Sequence, residues 1–209
     1  MMATLAAYVG FDPEVPRGKY FNVAYFSTHP LATGHVHTTS GTDLYAPLDF
    51  FPGFLEERAD LAVLAWGYKR ACEVARRMKY FRGELAVGHP KFPAGSAAAI
   101  GKETMPVPID APQIVYTEED DMAIDEYLKL TVATCWHSIG TCGMKPREQN
   151  GVVDSKLNVY GTQNLKVADC SITPANVSAN TYSAAIAIGE KAAVIIADEL
   201  GIMGVTARS

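Results

Sequence analysis

The chain has 209 residues, 48% hydrophobic and 20% charged, which suits one large globular domain or two small ones. A formal charge of −5 and the lack of a clustered basic patch argue against a nucleic-acid surface, and no apolar run is long enough to span a bilayer. Four cysteines, Cys72, Cys135, Cys142 and Cys170, show no Cys-x-x-Cys spacing, so free thiols in a reducing, intracellular compartment are expected, with neither a disulfide frame nor a metal site. Met1 to Leu5 carry no basic leader, so no secretory signal is expected.

Residues 1–18 read as a connector, with Asp12-Pro13-Glu14-Val15-Pro16-Arg17-Gly18 irregular. Lys19 to Thr28, rich in aromatic and β-branched residues, predicts a strand. Pro30 and Gly34 mark a turn, and His35 to Thr39 predicts a second strand, antiparallel to the first. His35 and His37 share one face of it, but two ligands without a third make a poor metal site. Gly41 to Gly53 reads as loop. A helix is predicted from about Phe54 to Lys79, with the apolar stripe Leu61, Leu64, Tyr68, Ala71, Ala75 and Met78. Lys69, Arg70, Glu73, Arg76 and Arg77 lie mostly off that stripe and are expected on a solvated face. Gly83 to Pro112 has little periodicity and reads as a long surface connection.

Thr117 followed by Glu118, Glu119, Asp120 and Asp121 predicts a capped helix start, with acids at the positive end of the helix dipole. Ile124, Tyr127, Leu128 and Thr131 are its buried side. Beyond Trp136 to Met144, the runs Gly151–Asp154 and Leu157–Gly161 read as a strand or turn pair. Leu165 to Ala168 reads as a short buried strand, Asp169 to Ala179 as a polar loop. The last helix is predicted from Thr181 to Leu200, with Ala184, Ala185, Ile188, Ala192, Ile195 and Ile196 inward and Gly201 as its stop.

His137 sits in Trp136-His137-Ser138-Ile139-Gly140-Thr141-Cys142-Gly143-Met144, among hydroxyls and glycines. Histidine is the side chain that accepts a proton near neutral pH, although a lone histidine is more often structural. The downstream strand, polar loop and helix start form an arrangement that open α/β sheets use to bind dinucleotides.

These two stretches, WHSIGTCGM and GVVDSKLNVYGTQNLKVADCSITPANVSANTYSAAIAIGEKAA, resemble the C-terminal signature of the glucose–methanol–choline (GMC) family of flavin oxidoreductases, nearest its alcohol (methanol) oxidase branch. A weaker likeness runs back to about His29. The resemblance implies an α/β (α+β) fold, with an antiparallel substrate-domain sheet flanked by helices and a strand–loop–helix that completes a Rossmann-like FAD domain. It divides the chain into a substrate-binding portion over residues 19–130 and, over 131–209, the catalytic loop and the end of the FAD domain. The family's glycine-rich phosphate loop, G-x-G-x-x-G, is absent from this sequence. The resemblance therefore implies the C-terminal part of a larger enzyme whose N-terminal half is a partner.

By the same resemblance His137 is the catalytic base and Asn180 the second active-site position. Asp169, Cys170, Asn180 and Thr181 contact FAD, and Trp136 walls the substrate pocket or is a core tryptophan. The implied reaction is oxidation of a small primary alcohol to an aldehyde, with O₂ reduced to hydrogen peroxide, in a homo-oligomer. The terminal Ala207-Arg208-Ser209 is loosely like a peroxisomal address, and peroxisomal placement follows mainly from the family likeness. Two alternatives stand beside this: a dehydrogenase of the same family using a quinone-type acceptor, and a non-catalytic assembly fragment.

Overall fold

Among the described residues, five short strands and three α-helices carry the fold: β1 (Met2–Thr4), β2 (Tyr25–Ser27), β3 (His35–His37), β4 (Asp49–Phe51), α1 (Arg58–Arg77), α2 (Glu118–Thr131), β5 (Ala133–Thr134) and α3 (Tyr182–Glu199). This computed structural model describes residues 2–4, 18–101, 104–177 and 180–206. Of the connector expected over residues 1–18, Met2–Thr4 is instead strand β1, at the centre of a sheet, while residues 5–17 and the terminal Ala207-Arg208-Ser209 lie outside the described residues. Two compact units result, one of Met2–Gly34 with Pro52–Cys135, the other chiefly of His35–Phe51 with Trp136–Ser209. The mixed class of helices with small antiparallel sheets is as expected.

In the first unit β2, β1 and β5 form an antiparallel sheet in that order, with Met2 opposite both Ser27 and Thr134. The apolar stripe of α1 is buried over Leu61, Leu64 and Tyr68, whereas Ala71 and Ala75 are half-buried and Met78, beyond the helix, is exposed. Leu61, Leu64, Tyr68 and Cys72 are buried against Ile124 and Leu128 of α2, with Tyr25 and Phe92 packed alongside. Gly67 lets α1 approach β2, since a Cβ there would stand 2.7 Å from the Tyr25 ring. Asp60, buried in the first turn of α1, accepts the backbone N–H of Leu31 (2.8 Å) and Ala32 (2.9 Å), a carboxylate suited to the helix's positive end.

Several expectations need correcting. The predicted strands at 19–28 and 35–39 shorten to three residues each and do not pair with one another. β2 pairs with β1, while β3 pairs with β4, which lies inside the stretch read as loop. Helix α1 starts at Arg58, not Phe54, because Gly53 and Leu55 take left-handed backbone angles (φ +66° and 61°) that a helix cannot contain. Glu73, Arg76 and Arg77 are not on a solvated face. Arg76 forks onto Glu84 (Nε to Oε1 2.7 Å, Nη2 to Oε2 2.9 Å). Glu73 pairs with Arg77 and accepts the N–H of Ile114 at 2.7 Å. These groups are buried because their partners arrive from the connection after α1.

Helix α2 begins with a reciprocal capping box. Thr117 Oγ1 accepts the N–H of Asp120 (3.2 Å), and Asp120 Oδ2 accepts the N–H of Thr117 (2.9 Å). Burial pushes the Asp120 carboxyl up, but hydrogen bonds from Ser96 and Thr117 outweigh it and hold the group below its ordinary value.

The second unit has its own core of Val153, Leu157, Ile172 and Ala192, with Ile188 and Ile195 against it. Gly151 is obligatory, since a Cβ there would lie 1.8 Å from the Lys145 carbonyl oxygen. The predicted buried strand at Leu165–Ala168 is instead an extended segment with an exposed Leu165 and one antiparallel bridge, Asn158 to Lys166. No parallel neighbour covers it among the described residues. On α3, Ala192 is buried as predicted, Ala185 is exposed, and Gly201 (φ +68°) ends the helix.

Thr117→Ala should lower unfolding stability by about 1 kcal/mol in denaturant melts, the usual worth of an N-cap hydroxyl. Asp120 contributes stability above its unfolded value of 3.8, lost as pH falls through its lower folded value. Acid melts of Asp120→Asn should therefore show a shallower loss of stability below that pH than the parent chain.

Candidate active site

The start of α3 places Asn180 and Thr181 beside a histidine 43 residues earlier. Asn180 Nδ2 lies 2.9 Å from His137 Nε2, and Thr181 Oγ1 lies 2.9 Å from His137 Nδ1. A third bond orients the pair: Asn180 Oδ1 accepts the N–H of Tyr182 at 2.8 Å. The oxygen of the amide is thereby fixed toward the helix, and its N–H₂ faces the imidazole. An amide N–H can only donate, so Nε2 must accept and carries the lone pair. In the neutral ring the proton then sits on Nδ1 and is donated to Thr181 Oγ1. Thr181 is buried, with 8% exposure, so this orienting bond is shielded from water.

The loop carrying His137 is clipped to the loop before α3 by three backbone bonds. Gly140 N–H donates to Cys170 O (3.3 Å), Cys142 N–H to Ser171 O (2.9 Å) and Met144 N–H to Ile172 O (2.7 Å). Gly140 has φ +84°, and a Cβ there would press on the Thr173 carbonyl oxygen at 3.3 Å. Asp169 caps the short 3₁₀ turn Cys170–Ile172 by accepting the N–H of Ser171 at 2.7 Å. The Ser171 side chain and that N–H together hold the Asp169 carboxyl below its ordinary value. An open cleft of about 430 Å³ follows the clip, lined by Ser138, Thr141, Asp169, Cys170, Ser171 and Ala185.

The structure thus brings His137, Asn180 and Thr181 together and places Asp169 and Cys170 on a neighbouring cleft. Asn180 precedes the N-cap of α3, Thr181, and its Oδ1 accepts the N–H of Tyr182, the first helical residue. Trp136 is 74% exposed among the described residues, and it holds a left-handed backbone (φ 60°) directly before His137. Sequence reasoning gave Thr181 only a cofactor role. Its bond to Nδ1 had no signal beyond a hydroxyl at a helix start. Asn176 was also passed over: its side-chain amide is buried with neither Nδ2 nor Oδ1 paired among the described residues.

The tautomer is open to direct test. Ring ¹⁵N spectra of the neutral His137 should show a protonated Nδ1 and a bare Nε2. Thr181→Ser should keep that pattern and Thr181→Val should shift the proton toward Nε2. An Nε2–H signal in the parent chain would contradict the hydrogen-bond assignment.

Comparison with known proteins gives these contacts a family. Residues 30–189 match the GMC oxidoreductase family. The chain is 40% identical to the alcohol oxidase of Pichia angusta over 97% of its own length and 37% of that protein. It is 36% identical to the alcohol oxidase of Candida boidinii, with the same coverage of 97% and 37%. The chain therefore spans about a third of the length of these curated relatives. Among solved structures, the R554A variant of Aspergillus oryzae RIB40 formate oxidase superposes with a TM-score of 0.59 at 22% identity, covering 81% of this chain and 26% of that one. An FAD-dependent oxidoreductase from Chaetomium thermophilum gives a TM-score of 0.60 at 21% identity, with coverage of 83% and 26%. These structural likenesses speak for the fold. With 160 of 209 residues inside the family match, the chain belongs to the GMC oxidoreductase family, as its C-terminal part.

Proposed function

We propose that this chain is the C-terminal part of an FAD-dependent alcohol oxidase, acting on small primary alcohols and delivering electrons to O₂ to give hydrogen peroxide. The observation that carries the reading is the His137 imidazole, whose unprotonated Nε2 is held against the Asn180 amide and whose Nδ1 is held against Thr181. The 36–40% identity to curated alcohol oxidases over nearly the whole chain supports the choice of substrate class.

The residues present fit a flavin. The buried, unpaired Asn176 amide offers both a donor and an acceptor to a polar ring edge. The α3 N-terminus presents the positive end of a helix dipole, equivalent to about half a unit charge. Asp169, Cys170 and Thr181 would sit on the cofactor side. The remaining part of that site, including a phosphate-binding turn, is assigned to an N-terminal portion of the complete enzyme. Bound flavin would supply the hydride acceptor and the route of electrons to O₂.

The chemistry of the chain itself is proton management. An alcohol gives up its carbon-bound hydride readily only as its hydroxyl proton departs. His137 Nε2 takes that proton once the alcohol hydroxyl replaces the Asn180 N–H at its lone pair, and the freed amide donates to the alcohol oxygen without competing for the proton. The Nδ1 proton stays on the ring, held toward Thr181, so the imidazolium formed keeps its orientation. Trp136 stands on the substrate side as a wall that favours small alcohols.

The test joins this chain to the N-terminal portion of the Pichia angusta alcohol oxidase that it lacks in the alignment. The joined protein should be yellow and should make peroxide from methanol, while the chain alone should do neither. In the joined protein His137→Ala should slow anaerobic flavin reduction by about 10²–10⁴ while flavin stays bound. Reduction at the parent rate would remove His137 as the base. A joined protein that reduces a quinone but makes no peroxide would convert the reading to a dehydrogenase.

Trp136→Ala should shift kcat/KM toward longer alcohols, by about 1–3 kcal/mol per methylene if its ring sets the pocket wall. An unchanged methanol-to-butanol ratio would take Trp136 out of the pocket.

A further inference from the structure

The first unit holds a second chemical cluster, which the proposed reaction does not use. One turn of α1 carries Tyr68 and Cys72, the next carries Arg76, and the connection after the helix returns Glu84 and His89 to the same place. A sulfur of Cys72, a carboxylate oxygen of Glu84 and a ring nitrogen of His89 all lie within 4.8 Å of one another. Cys72 is 6% exposed. The cluster forms part of the wall of a cavity of about 300 Å³, whose lining also includes Tyr20, Phe21 and Tyr25.

Glu84 and His89 are each already held by a neighbour that does not exhaust them. Arg76 grips Glu84 through Nε and Nη2 at 2.7 and 2.9 Å, which uses one lone pair on each oxygen and leaves the others. Tyr68 Oη lies 2.8 Å from His89 Nδ1 and fixes the plane of the ring. Outer partners of this kind orient ligands in metal sites, where a ligating histidine or carboxylate is itself hydrogen-bonded.

We infer that Cys72, Glu84 and His89 form a three-ligand site for a zinc-class divalent cation, with its fourth position facing the cavity. One thiolate, one imidazole and one carboxylate suit Zn²⁺, which takes all three at distances of about 2.0–2.3 Å. Three protein ligands with an open fourth position define the exchangeable type of zinc site, in which water or a small ligand completes the tetrahedron. Binding exchanges the thiol proton for the metal: the S–H bond breaks, the S–Zn bond forms, and one proton leaves to solvent. The site ligates, and the bound ion changes no oxidation state.

The test uses the full chain without flavin, so it stands or falls apart from the proposed activity. Zn²⁺ added in excess and dialysed away should leave one equivalent bound. Co²⁺ should give a near-ultraviolet thiolate-to-metal charge-transfer band. Cys72→Ser should abolish that band, and Glu84→Gln or His89→Gln should weaken binding by at least about tenfold. X-ray absorption of the zinc-loaded parent chain needs no variant and should show one sulfur at about 2.3 Å with nitrogen and oxygen neighbours. No retained zinc, a zinc shell without sulfur, or a cobalt band that survives in a folded Cys72→Ser chain would each overturn the assignment, the last because it would move the ligand to Cys135, Cys142 or Cys170.

Discussion

Three backbone hydrogen bonds, from Gly140, Cys142 and Met144 to the carbonyls of Cys170, Ser171 and Ile172, are the constraint on which the candidate active site depends. His137 and Asn180 are 43 residues apart in sequence, and bringing such distant groups together carries a loop-closure entropy that no single side-chain bond repays. The clip divides that task. Alternate residues of one loop bond successive carbonyls of the other, so the two loops run together ahead of His137. Ile172, at the end of the clip, is buried with Val153, Leu157 and Ala192. Ala192 belongs to α3, so the same hydrophobic cluster that anchors the clip also anchors the helix whose first residues face His137. Core burial, backbone pairing and the orientation of one imidazole thus form a single chain of causes.

What the sequence made legible is what depends on neighbours in sequence. The start of helix α2 could be read to the residue because Thr117 and Asp120 cap each other three positions apart, and its buried side because Ile124 and Leu128 repeat at helical spacing. The buried part of the α1 stripe, Leu61 to Tyr68, could be read from the same spacing. The strands could not. Three-residue strands such as His35–His37, exposed at every position, carry no alternation from which to choose a partner. The charges of α1 were misjudged because helical position says only which side chains lie off the stripe. It is silent on Glu84, Ala111 and Ile114, which come from far along the chain to meet Arg76, Arg77 and Glu73.

The site was legible in part, and for two different reasons. His137, Asn180, Asp169 and Cys170 entered through family likeness, and the structure adds the geometry that likeness lacks: which nitrogen of His137 is bare, and why. That answer rests on the Tyr182 N–H fixing the Asn180 amide, a contact of local helix geometry. The grouping of Cys72, Glu84 and His89 had no sequence signal, because spacings of 12 and 5 residues match no ligand pattern. It arises only when the chain folds back over α1.

Trp136 presents the remaining physical problem. A tryptophan at φ 60° is strained, since its Cβ crowds the carbonyl oxygen in the left-handed region, and strain of this kind costs about 1–3 kcal/mol. Burial of the indole would offset that cost, yet the ring is 74% exposed among the described residues. The backbone is held on its C-terminal side by the clip, which Gly140 starts shortly after. The left-handed residue puts a turn in the chain at Trp136, directly before His137. The same turn sets the direction in which His137 leaves the backbone. The proposed substrate wall fits that position: a rigid, largely apolar side chain, adjacent in sequence to the proposed base whose reach it would limit.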